Sequence, residues 1–105
     1  MNAKNRDADS RLLKALRLIR EHLPELTDRY GMESLGIFGS LVRGEQREDS
    51  DLDILVEFSR TPGLFDFVAL KIELTELLEA DIDLVMKRAL KPHIGERILQ
   101  EVVQA

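Results

Sequence analysis

The chain of 105 residues has no cysteine and no tryptophan, and only one tyrosine and four phenylalanines. Without thiols there are no disulfides, thiolate metal sites or cysteine nucleophiles. Aromatics at 5 % of the chain leave little from which to build a platform for stacked bases. Positive charge is not in excess either: 15 Lys and Arg stand against 20 Asp and Glu, for a formal net charge of -5. Such a surface is not built to hold a polyanion through many phosphate contacts, so bulk nucleic acid is not expected as a main partner. No apolar run approaches the length that spans a bilayer, and the first nine residues, Met1 to Asp9, carry no signal-peptide stretch. A cytoplasmic protein without a membrane partner is the expectation. Of the two histidines, His22 lies among charged neighbours and is expected to be solvated, and His93 beside Pro92 reads as a first-turn helix residue. They have no metal-ligand spacing, so zinc is not indicated.

Apolar residues make up 44 % of the chain and charged residues 33 %, the balance of an ordinary soluble domain. A length of 105 residues fits a single domain over residues 1–105, which would bury roughly 60–70 % of its unfolded surface. Residues 1–8 are polar and expected to be disordered. Asp9 or Ser10 can cap a first helix with Leu12, Leu16, Ile19 and Leu23 on one stripe. Pro24 is expected to start a kinked second segment over 24–30, ended by Gly31. Strands are expected over 35–38, 52–58 and 82–86, a short helix over 40–45 ended by Gly44, and a turn at Thr61-Pro62-Gly63. A long helix over 65–79 would turn Phe67, Leu70, Leu74 and Leu77 or Leu78 inward. A last helix over 93–103 would do the same with Ile94, Ile98, Leu99 and Val102. The order helix, strand, helix, strand, helix, strand, helix describes a two-layer α/β domain on three strands.

Chemistry concentrates between the first two strands. Gly36-Ile37-Phe38-Gly39-Ser40-Leu41-Val42-Arg43-Gly44-Glu45 leads through a solvated loop to Ser50-Asp51-Leu52-Asp53-Ile54. Asp51 and Asp53, two apart on a strand, leave the same face with Cα atoms roughly 6.5 Å apart. Two carboxylates on an apolar strand repel one another and raise at least one pKa unless a cation relieves them, and magnesium suits such a pair. Gly39 lets the backbone approach a ligand, while Ser40 offers an amide and a hydroxyl to a phosphate. The competing readings are plain. Asp51 and Asp53 could merely protect an edge strand, Ser40 could cap the short helix, and Arg43 could pair with Glu48 or Asp49 on the surface rather than face a phosphate. Asp81 competes with Asp83 for one face of the third strand, and it reads better as the end of the preceding turn. The run Lys87-Arg88-Ala89-Leu90-Lys91 reads as a solvated loop.

Gly39-Ser40, ten residues, then Asp51-Leu52-Asp53 resembles the signature of the DNA polymerase beta-like nucleotidyltransferase superfamily. The fuller Gly39-Ser40-Leu41-Val42-Arg43-Gly44-Glu45 run is similar to that of its minimal nucleotidyltransferase branch, and Asp83-Leu84-Val85 matches the third carboxylate of the family. The resemblance implies a mixed rather than all-parallel sheet, with Asp51, Asp53 and Asp83 as catalytic ligands of two magnesium ions. It implies that Gly39 and Ser40, with Arg43, bind the phosphates of a nucleoside triphosphate, ATP in the first instance. It further implies transfer of AMP to a hydroxyl of a protein, with a HEPN-domain toxin as the partner of an antitoxin. Two alternatives stand beside this: an antitoxin that neutralises by binding alone, and a subunit of a nucleotidyltransferase acting on small molecules. Homo-oligomerisation, the nucleotide base and the acceptor residue stay open.

Overall fold

The computed structural model describes residues 3–47 and 50–105, with side chains from residue 9 onward. The first helix, α1 (Ala3–Tyr30), is a single 28-residue element. Gly31 ends it with φ 66°, and its N–H donates to Thr27 O at 2.9 Å, the left-handed stop that glycine permits without strain. Two expectations are corrected here. The helix runs from Ala3 rather than from a cap on Asp9 or Ser10, because residues 3–8 include no Gly or Pro to halt it. Helix also continues through Pro24. The lost hydrogen bond costs about 3 kcal/mol, offset by packing on both sides of the proline, where Leu23 rests against the core and Leu26 is 1 % exposed.

The remaining elements follow as β1 (Met32–Phe38), α2 (Ser40–Arg43), β2 (Leu52–Phe58), α3 (Leu64–Leu78), β3 (Ile82–Met86), α4 (Pro92–Glu101) and β4 (Val103–Gln104). One turn of 3-10 helix, Lys87–Ala89, stands within the run read as a loop. The strands form one sheet in the order β3-β2-β1-β4. It is mixed: β1 runs antiparallel to β2 and to β4, and β2 runs parallel to β3. The fourth strand corrects the expected three. α4 stops at Glu101, and the β-branched residues Val102 and Val103 leave helical geometry to cover the open edge of β1, where unpaired backbone groups would otherwise stand. Gly36 makes room for it, since a Cβ there would lie 2.7 Å from Val102 Cγ2. In consequence Ile94 and Leu99, expected inside, are 56 % and 47 % exposed.

Register divides the sheet into two faces. Cross-strand partners share a face, so the rows Leu35–Val56 and Ile37–Ile54–Leu84 point one way. There they meet Leu16, Ile19 and Leu26 of α1 and Leu70 and Leu74 of α3 in one hydrophobic core. Among the described residues no polar or charged side chain is buried. Across its top, Tyr30 Oη donates to Glu73 Oε2 at 2.6 Å and Arg29 pairs with the same carboxylate, tying the end of α1 to α3. α3 carries apolar residues outward as well, with Leu64, Phe65, Val68 and Ile72 exposed. His22 is half-buried, with Nδ1 hydrogen-bonded to Leu18 O at 2.9 Å, rather than freely solvated. No helix among the described residues is long and apolar enough to cross a membrane.

Leu74, fully buried, tests this core. Leu74→Ala is expected to cost about 2–5 kcal/mol in urea unfolding. Leu64→Ala, on the outer side of the same helix, should change stability by less than about 0.5 kcal/mol. Equal effects would mean that the two sides of α3 have been assigned wrongly.

Candidate active site

The opposite face of the sheet carries the row Phe38–Asp53–Asp83, one residue from each of β1, β2 and β3. Here Asp53 and Asp83 are register partners on adjacent parallel strands. Asp53 is half-buried and Asp83 exposed. Asp51 stands just ahead of β2 and is exposed at its head, yet close enough for its charge to act on Asp53. Asp81 is exposed just before β3, and its carbonyl accepts from Leu52 N–H at 2.8 Å. Its backbone thus aligns the starts of β2 and β3, as the reading of Asp81 as the end of a turn suggests.

Asp53 has its carboxyl pushed up from 3.8 to about 6. Burial is the first cause, followed by the negative charges of Asp83 and Asp51 and a side-chain hydrogen bond with Asp83, against an opposing pull from Arg43. The strand positions that make a row thus also make an electrostatic conflict.

Gly39 follows β1 directly, at φ 82°, as the residue before α2. Sequence reasoning left the space beside it for a ligand. In the structure that space holds Asp53: a Cβ on Gly39 would lie 2.0 Å from Asp53 Oδ2. The glycine is therefore required twice, by a backbone conformation that L side chains avoid and by the carboxylate packed on its Cα. Ser40 is the first residue of α2 and half-buried. The cap position belongs to Gly39 and no side-chain hydrogen bond caps this helix, so the capping role considered for Ser40 is not the one it fills. Gly44, at φ 74°, closes α2, with Glu45 N–H donating to Ser40 O at 2.8 Å.

Arg43 turns back over the site. Its Nη1 donates to Glu101 Oε1 at 2.8 Å, and its Nε to Glu45 Oε2 at 3.3 Å. The pairing considered with Glu48 or Asp49 lies outside the described residues. Glu101 was not singled out in the sequence. It sits at the end of α4, and its Oε2 also accepts from the Gly39 N–H at 2.7 Å. No local pattern marks such a residue, because β4 has to pair with β1 before Glu101 reaches the turn. With Arg97, Ile94 and Ile98 it forms the α4 wall of a cleft of about 220 Å³ whose floor is Phe38, Gly39 and Asp53.

Among the described residues, no three His, Asp or Glu side chains stand together so as to hold a metal ion. The donor chemistry nonetheless fits a hard divalent cation. Adjacent carboxylates are the oxygen ligands magnesium takes, and a cation beside Asp53 would offset the burial and the neighbouring negative charge that push its carboxyl up.

The Nucleotidyltransferase domain family matches residues 19–104 of the chain. Protein adenylyltransferase MntA of Thermococcus cleftensis is 48 % identical over 86 residues, covering 82 % of this chain and 87 % of the relative. A solved structure of a proposed minimal nucleotidyltransferase superimposes with a TM-score of 0.73 at 43 % identity, over 87 % of this chain and 93 % of that one. A toxin-antitoxin crystal structure with AMP-PNP gives 0.66 at 26 %, over 80 % and 69 %.

Two outcomes follow from the contact between Gly39 and Asp53. Gly39→Ala should destabilise by about 1–3 kcal/mol, and by clearly less in an Asp53→Ala background, since the collision is then gone. Additive effects would separate the two residues. The raised carboxyl also has a definite sign. Stability from Asp53 is fully present below the ordinary carboxylate pKa and is lost as pH rises through about 6. In the absence of divalent cations, Asp53→Asn should raise the melting temperature at pH 7.5 by about 3–8 °C and by much less at pH 4.5; an equal shift at both would contradict the assignment.

Proposed function

Because the chain belongs to the nucleotidyltransferase-domain family, we propose that it is a protein adenylyltransferase of the minimal nucleotidyltransferase type. It moves AMP from ATP to a hydroxyl of a protein partner in the cytoplasm and acts as the antitoxin toward a HEPN-domain toxin. The observation that carries this reading is the Asp53 carboxylate packed against Gly39, with Asp83 beside it at the same register of the adjacent strand. The likeness to MntA supports protein as the acceptor class, and the AMP-PNP in a toxin-antitoxin relative supports an adenine nucleotide. The HEPN partner rests on the resemblance to minimal nucleotidyltransferases.

The residues divide the work by chemistry. Ser40, through amide and hydroxyl, and Arg43, through its guanidinium, receive phosphate oxygens beside Gly39. The acceptor oxygen bonds to the α phosphorus while the bond to the bridging oxygen breaks, and pyrophosphate leaves. The proton of the acceptor hydroxyl passes to Asp83, the exposed carboxylate of the pair and the one an incoming acceptor can reach, acting as general base. Asp51, Asp53 and Asp83 would hold magnesium, which supplies neutralisation of the charge on the transferring phosphoryl and leaving groups. Arg97 adds positive charge to the α4 wall. The aspartate face is open outside that wall, which suits an acceptor that brings its own surface.

The test is incubation of the chain with ATP labelled at the α phosphate, magnesium and a co-purified protein partner. Label should move to the partner, and Asp53→Asn or Asp83→Asn should lower the transfer by at least about 10²–10³-fold while the fold, followed by circular dichroism, persists. Neutralisation of the partner by both variants at full strength would favour an antitoxin that acts by binding alone.

A further inference from the structure

Two groups at the Gly39–Ser40 turn are suited to an anion, the Gly39 amide and the Arg43 guanidinium, and one carboxylate holds both. Glu101 Oε2 accepts from Gly39 N–H at 2.7 Å, and Oε1 accepts from Arg43 Nη1 at 2.8 Å. The Glu101 side chain is 19 % exposed. Burial works against its ionised form, but the hydrogen bonds from Arg43 and the Gly39 amide outweigh burial and hold its carboxyl below the usual range. At neutral pH it is therefore a carboxylate. Its two oxygens bridge an amide and a guanidinium as two oxygens of a phosphate would.

The segment that carries this carboxylate is held by a two-residue strand, a bond from Arg20 Nη2 to Gln104 O at 3.4 Å and the packing of Val103 and Ala105 on the core. Glu101 is the last residue of α4, and β4 beyond it has two residues, paired with Gly36 and Ile37 of β1. Ala105 N–H adds one bond to Leu35 O at 2.9 Å, and Val102 lies on Gly36. Asp53 faces the same cleft. A phosphate arriving there would meet Glu101 both as an occupant of its donors and as a like charge in a partly desolvated site, where repulsion is weakly screened.

We infer that Glu101 is an internal anion filling the phosphate seat of the Gly39–Ser40 turn, and that a triphosphate binds by displacing it and loosening the α4–β4 segment. This rests on the proposed nucleotidyltransferase reading and adds a regulation of that site. The carboxylate keeps the turn and Arg43 ordered while no nucleotide is bound. Whatever holds β4 on β1 lowers nucleotide affinity, and whatever frees it raises affinity.

Calorimetric titration of the full chain with magnesium-ATP and with magnesium-tripolyphosphate tests the exchange. Three forms are compared: wild type, Glu101→Gln and Glu45→Gln. Glu45 also meets Arg43, at 3.3 Å, without contacting Gly39, and so reports the removal of a nearby charge alone. Glu101→Gln should bind both probes about 10-fold more tightly, since the seat no longer has to be vacated. Glu45→Gln should gain less than about 3-fold. Hydrogen exchange on the wild type supplies a readout that needs no variant: saturating ATP should lower amide protection over residues 103–105. Equal gains in the two variants, weaker binding by Glu101→Gln, or increased protection of residues 103–105 would overturn the displacement. Absence of binding by the wild type itself would remove the nucleotide reading and this inference together, and is seen before any variant is compared.

Discussion

The site depends on one contact, the Asp53 carboxylate resting on the bare Cα of Gly39. It joins the turn after β1 to the second strand and leaves no room for any other residue at position 39. It also draws a carboxylate partly out of water beside a second one, Asp83, at the same register. Nothing in the packing of a small α/β domain requires that arrangement. A neutral residue at position 53 would relieve the burial of charge and the repulsion that lift its carboxyl to about 6, and such relief is usually stabilising. A cost of this kind, held in place by a glycine that fits nothing else, belongs to a site rather than to a core.

The sheet supplies this contact because its two faces do different things. One is closed by α1 and α3 over a core without buried polar side chains among the described residues. The other is partly covered by α4 and otherwise bears the aspartates. The parallel pairing of β2 with β3 sets Asp53 against Asp83. The antiparallel pairing of β1 with β2 brings Phe38, and with it Gly39, to the same row. A slip of one residue in either pairing would turn the carboxylates into the core. The Leu–Ile–Val pattern on the helix side is thus also what aims the acidic side chains outward.

What could be read in the sequence was local. Gly31 and Gly44 ended helices where expected because a left-handed residue leaves its mark at one position. The strands at 52–58 and 82–86 and the inward Leu70 and Leu74 followed from short apolar periods. Asp53 and Asp83 could be paired through family likeness, although strand direction is not written in their spacing. Features set by distant partners were missed. Pro24 stays helical because residues on both sides of it pack on the core. Val103 joins a sheet because the edge of β1 is open, not because its own neighbours demand it. Ile94 and Leu99 have helical core spacing and yet face outward, since α4 is placed by the strand that follows it. Glu101 became visible only when β4 had been paired.

The proposed site requires that Asp53 be held beside Asp83 against its own charge in the free protein and that the pair accept a divalent cation with nucleotide. Carbon-13 NMR of the side-chain carboxyls, titrated with and without magnesium, tests it most directly. Asp53 is expected to titrate near 6 in metal-free protein and to move to about 4 or below when magnesium and ATP are present. An Asp53 that titrates near the ordinary carboxylate value in both conditions, or does not respond to magnesium, would contradict it.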